Sequence, residues 1–178
     1  MQDIDLLLRN GADKVAINTA LIRNPKFLTE AARVFGSQCI VALIEAKKND
    51  QYHWEAYIEN GRERTGVDAI QWAREVEDLG AGEICITSID REGTRRGFEL
   101  ELIQAVAKNA AIPVIAHGGA GKSSHVTEII QKTNIDGIAL SSILHYQVTG
   151  IREMKIDMIK ALGAQMLEDG NTLRVLTP

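Results

Sequence analysis

Small, hydroxylated, acidic and glycine residues gather just after short apolar runs in this sequence. Asn18-Thr19 follow KVAI, Glu45 closes CIVALIE, and Thr87, Ser88, Asp90, Glu92 and Gly93 lie in GAGEICITSIDREGT, from Gly80 to Thr94. His117, Gly118 and Gly119 open HGGAGK, and Ser141-Ser142 follow GIAL. Glycines let backbone N–H groups approach an anion, and the start of the next helix adds partial positive charge. GGAGK with Ser141 and Ser142 therefore reads as a phosphate cradle. Asn18-Thr19 reads as a second anion site or as a cap on the next helix. On the first reading the two sites face each other across a barrel and suit a substrate with phosphates at both ends.

The carboxylates divide by setting. Glu45 leaves a buried strand, where desolvation raises its pKa and suits it to donate or accept a proton. Asp90 and Glu92 flank Arg91; pairing with that guanidinium would keep them ionised, as groups that position substrate. Lys14, Glu83 and Asp13 stand at the opposite strand ends, where charges ordinarily solvate a rim or form a structural pair. His53, His125 and His145 have no ligand spacing, so no metal is expected.

Parallel α/β architecture is what places such residues together, because strand C-termini open onto the ligand-binding loops. The predicted strands are Lys14–Asn18, Cys39–Glu45, Glu83–Ser88, Pro113–His117 and Gly137–Ser141. Helical spacing covers Asn24–Phe35, Val67–Leu79, Glu99–Asn109, Ser123–Lys132 and Ile151–Leu162, while Asp3–Asn10 reads as the end of a further helix. Gln51–Glu59 alternates polar and apolar residues and is predicted to form a hairpin over a barrel mouth, with Tyr52, Trp54 and Tyr57 either touching substrate or packing across strands. NGADKVAIN, LGAGEICITS and TNIDGIALSS form a weak repeat of helix exit and strand. The expected fold is a (β/α)8 barrel of which about five units are present, in a single domain over residues 1–178.

With 178 residues, 45% hydrophobic and 25% charged, the chain has the composition of a folded domain, and its net charge of −4 argues against nucleic acid as main partner. No apolar run approaches the roughly 20 residues that cross a bilayer. The acidic N-terminus does not suit a signal peptide, so a cytoplasmic location is expected, with Cys39 and Cys85 reduced and buried.

GADKVAINTA, FGSQCIVALIEAKK, the long run GRERTGVDAIQWAREVEDLGAGEICITSIDREGTRRGFELELI, IPVIAHGGAGK and ALSSILHY together resemble the cyclase subunit of imidazole-glycerol-phosphate synthase and its paralogues, over that family's fourth to eighth βα units. The resemblance implies a barrel that takes ammonia from a glutaminase partner, without a cofactor, and uses it on a bis-phosphorylated ribulosyl carboxamide in histidine biosynthesis. It implies Glu45 as the catalytic carboxylate and Asn18 and Thr19 at one phosphate. Gly93, Gly119, Ser141 and Ser142, with Gly118 beside them, fall at the other. Thr87, Asp90, Glu92 and His117 line the substrate. Lys14 and Glu83 become the ammonia gate, and Asp13 part of the glutaminase interface.

The sequence departs from that family in three respects. Glu45 and Glu92 stand where aspartates are usual, His117 stands where a small residue is usual, and the strand carrying a second catalytic aspartate is absent. The chain alone is therefore expected to be weakly active or inactive. Two alternatives remain: a paralogue passing ammonia to a sugar-nucleotide amidotransferase in surface-polysaccharide synthesis, and an inactive assembly module. An incomplete barrel is also expected to self-associate, to close its sheet.

Overall fold

The computed structural model describes residues 1–49 and 53–169, with side chains through residue 161. Its seven-stranded sheet is built on β2 (Ile40–Lys48), the longest strand. β5 (Glu83–Ser88), β6 (Val114–His117) and β7 (Gly137–Ala139) follow in parallel on one side of it. On the other side β1 (Val15–Ile17) pairs parallel with residues 40–42, and β3 (Trp54–Ile58) pairs antiparallel with residues 45–48. β4 (Glu63–Asp68) completes a hairpin with β3. The five predicted parallel strands are thus present and adjacent, although the sheet is open, with β4 and β7 at its ends among the described residues.

Alternation along the strands divides the sheet into two unlike faces. Ile40, Ala42, Ile44 and Ala46 of β2, Ile84 and Ile86 of β5, and Val114 and Ala116 of β6 are buried in the hydrophobic core. Against them pack Leu28 and Ala31 of α3 (Lys26–Phe35), Trp72 and Val76 of α4 (Ala69–Asp78), and Leu102, Ile103 and Val106 of α5 (Leu100–Ala107). The opposite face carries Ala16, Leu43, Glu45, Cys85, Ile115 and His117, all exposed or half-buried. Only one face here has a helical layer among the described residues, so Glu45 and His117 on the other remain partly accessible, while Thr87 between them is buried.

Local chemistry sets the boundaries. α4 begins at Asp68, whose carboxylate accepts from the N–H groups of Ile70 at 2.9 Å and Gln71 at 2.8 Å, a cap that stabilises by about 1 kcal/mol. Asp68 also closes β4, so the helix starts later than Val67. Pro25 takes the cap position of α3, so the helix starts later than Asn24, and a short helix, α2 (Thr19–Arg23), precedes it. The remaining helices are α1 (Gln2–Arg9), α6 (Ser123–Lys132), α7 (Ser142–His145) and α8 (Ile151–Asp169). Cys39 lies in a 3₁₀ turn, not in a strand.

The hairpin is longer than Gln51–Glu59 and runs from Trp54 to Asp68 around a turn at residues 59–62. Tyr52 lies outside the described residues. Trp54 is buried in the core on the helical side of the sheet, away from the open face. Tyr57, paired with Glu45, is on the open face. The second strand was missed because ERTGVD carries charges and Gly66 in place of an alternating apolar pattern. Buried Glu55 holds this strand, accepting from Arg64 Nη2 at 2.8 Å and Gly66 N at 2.8 Å. Those two donors outweigh desolvation and hold its carboxyl below the usual carboxylate range.

Candidate functional site

Register aligns the chemistry. Glu45 of β2 pairs with Thr87 of β5, Thr87 with His117 of β6, and His117 with Ala139 of β7. Parallel strands in register put side chains of one face in layers, and this layer is the last before the exits. Asn18, one residue beyond β1, joins it: its Nδ2 donates to Glu45 Oε2 at 2.6 Å and to Tyr57 O at 3.1 Å. At the far end Thr87 Oγ1 lies 3.0 Å from His117 Nδ1. Asn18, Glu45, Thr87 and His117 therefore form a polar row across four neighbouring strands.

Asn18 makes no side-chain cap on α2. Its Nδ2 donates to Glu45 and Tyr57, and its buried Oδ1, the atom a cap would use, accepts from no described group, so Asn18 does not cap through its side chain. Thr19 Oγ1 accepts from Glu59 N at 3.1 Å and keeps its own hydrogen to donate. The hairpin turn thus closes over this end of the row, and Gly61 adds a backbone hydrogen bond to Glu45. Sequence reading missed these contacts because the backbone of the turn makes them.

Burial pushes the Glu45 carboxyl above the usual carboxylate range, and the Asn18 amide, then the Gly61 N–H, pull it partway back; Glu92 adds a smaller upward push. The expected direction is therefore present. One layer below, burial raises the Cys85 thiol to about 11, so it is a neutral wall rather than a nucleophile. Cys39 and Cys85 are both free and half-buried.

A small pocket is lined by Glu92, Gly93, His117, Gly118, Gly119, Ser141 and Ser142 among others. The residues anticipated for the second anion site are thereby brought together. Gly118 and Gly119 turn with φ of 90° and 107°, a left-handed pair that side-chain-bearing residues rarely adopt. A Cβ on Gly119 would also overlap the Gly97 carbonyl, and the two backbones are held close by Gly97 N–H donating to Gly119 O at 2.8 Å. His125 fixes the same loop: its Nδ1 accepts from Gly121 N at 3.2 Å.

The acidic residues of the β5 exit behave differently from expectation. Arg91 pairs with Glu99, Nε to Oε2 at 3.1 Å, and not with Asp90 or Glu92. Asp90 instead accepts from Lys48 N at 2.9 Å, tying this exit to the end of β2. Glu92 approaches His117 Nε2 at 4.0 Å. At the opposite end of the sheet Lys14 and Glu83 form an ion pair on the open face, and Asp13 beside them is exposed.

Asn18-Thr19 and Ser141-Ser142 follow β1 and β7, the two ends of the five-strand parallel run. Four strand spacings separate them, about 19 Å measured along the sheet. The row of Glu45, Thr87 and His117 lies between.

The profile of the family described as "Histidine biosynthesis protein" matches residues 1–149. Relatives named imidazole glycerol phosphate synthase subunit HisF, from Bacillus cereus strains Q1 and AH187, are each 48% identical over 155 residues. That alignment covers 87% of this chain and 62% of each relative, so the chain spans less than two thirds of their length. Matched over most of its residues, the chain belongs to the histidine biosynthesis protein family.

Proposed function

We propose that this chain carries the cyclase-type site of imidazole-glycerol-phosphate synthase: it holds a bis-phosphorylated ribulosyl carboxamide across the open face while ammonia reacts at its middle. The observation that carries this reading is the polar row between two exits suited to phosphate. Glu45, with its raised pKa, is the acid–base group. Asn18 orients it, and Thr87 and His117 line the reacting centre. Thr19 with the Asn18 exit takes one phosphate; Gly93, Gly118, Gly119, Ser141 and Ser142 take the other. Asp90 holds the two strand exits in place, and Glu92 faces the second phosphate.

Ammonia comes, on this reading, from a glutaminase docked at the lower rim. Lys14 and Glu83 gate its entry and Asp13 belongs to the docking surface. The setting is cytoplasmic. The chain tested by itself should turn over weakly, since the resemblance puts a second catalytic carboxylate in a stretch this sequence does not contain. Two sheet edges and an uncovered face among the described residues support self-association as well, which light scattering on the full chain tests: a monodisperse monomer would contradict it.

The functional test is steady-state turnover of the bis-phosphorylated substrate with ammonium ions. Slow formation of imidazole glycerol phosphate that disappears in Glu45→Gln supports the cyclase reading. Turnover unaffected by Glu45→Gln, or no product at any enzyme concentration while the substrate binds, contradicts it.

A further inference from the structure

His117 is fixed at one end of its ring and open at the other. Nδ1 is tied to Thr87 Oγ1 at 3.0 Å, and Thr87 is only 2% exposed. In the neutral ring Nδ1 accepts from the threonine hydroxyl and the proton sits on Nε2; in the protonated ring Nδ1–H donates to Thr87 Oγ1 and Nε2–H stays free to donate. That end lies 4.0 Å from Glu92 Oε1, beyond hydrogen-bond length, and His117 lines the same pocket as Gly118, Gly119, Ser141 and Ser142.

We infer that His117 is a direct anion ligand of this pocket: Nε2–H donates to a phosphate oxygen, and the protonated ring offsets Glu92 so that the pocket accepts a dianion. The inference rests on reading the pocket as a phosphate cradle and adds a ligand whose charge depends on pH. Glycine N–H groups and serine hydroxyls supply donors but no net charge; Glu92 lines the pocket with a carboxylate, while Arg91 and Arg95, packed behind the glycine loop, are turned to Glu99 and to the Tyr146 ring. A cationic ring between that carboxylate and the incoming anion removes the like-charge penalty. The titratable groups that interact with the imidazole are Glu92 from the β5 exit and Glu45 from β2. β7 and its exit contribute Ala139, Leu140, Ser141 and Ser142 to the pocket, and no titratable group.

Sulfate is the probe, because its charge is constant over the range of about pH 5 to 8 in which imidazoles change theirs. The full chain, labelled with ¹⁵N, is titrated with sodium sulfate at pH 5.5 and pH 8 at constant ionic strength, following the Gly118 and Gly119 amides. The wild type should bind about tenfold more tightly at the lower pH, the weight of one charge-assisted hydrogen bond. His117→Gln should lose most of that ratio. If the variant does not fold, the wild-type His117 ring resonances serve instead and must move with the glycine amides as sulfate is added. Equal pH dependence in both proteins, or glycine shifts without ring shifts, overturns the role of His117 and leaves the cradle standing. No glycine shifts at either pH overturns the cradle and this inference together.

Discussion

Asn18 Nδ2 donates to Glu45 Oε2 at 2.6 Å, a bond between residues 27 positions apart in sequence. It joins the exits of two adjacent parallel strands, β1 and β2, and opposes the desolvation that lifts the Glu45 pKa. A carboxyl on a partly buried face is thereby kept ionisable, with one oxygen fixed by the amide.

Replacing Asn18 with Leu removes the largest influence lowering the Glu45 pKa. The Glu45 carboxyl should then titrate at higher pH than in the wild type, read by ¹³C NMR of labelled glutamate side chains. An unchanged midpoint would mean that Asn18 does not tune Glu45.

Glu45 also makes a signed prediction about stability. Its folded pKa lies above the unfolded value, so its contribution is most favourable below the unfolded pKa and is lost as pH rises through the folded one. Glu45→Gln keeps an oxygen for Asn18 and never ionises. It should melt above the wild type near pH 7, with the difference shrinking towards pH 4, by calorimetry across that range.

Glu55 carries the opposite sign. Its depressed pKa contributes stability above the unfolded value that is lost as pH falls through the folded one. Arg64→Ala should cost about 1–2 kcal/mol near pH 7, less than a fully buried pair because Arg64 is largely exposed and Gly66 N still donates. The loss should narrow under acid, as urea titrations at pH 7 and pH 3.5 will show.

The sequence made the five parallel strands readable, because each is a short apolar run ending in polar or glycine residues. Glu45 and the glycines of the β6 exit were legible for the same reason: a carboxylate or a glycine pair closing an apolar run needs an explanation. Contacts between exits were not. Arg91 has acidic neighbours on both sides in sequence, yet it pairs with Glu99 eight residues on, since the loop geometry and not adjacency decides which carboxylate it meets. The hairpin turn over Asn18 and Glu45 was equally hidden, because backbone groups of Tyr57, Glu59 and Gly61 make its contacts and these carry no side-chain signature.

The ammonia gate proposed at the Lys14–Glu83 ion pair can be tested by separating delivery of ammonia from its use. In a complex with a glutaminase, Glu83→Gln should lower glutamine-dependent turnover while leaving turnover with added ammonium within about twofold, a change of less than half a kcal/mol in barrier. Equal losses with both nitrogen sources would place the pair in the fold or the chemistry and not at a gate.

Whether one ligand spans the row is decided by titrating the ¹⁵N-labelled chain with the bis-phosphorylated substrate in the absence of ammonia. The amides of Thr19 at one exit and of Gly119 and Ser142 at the other should shift together along one saturation curve. Shifts confined to one exit, or two curves with different midpoints, would contradict a single substrate held across Glu45, Thr87 and His117.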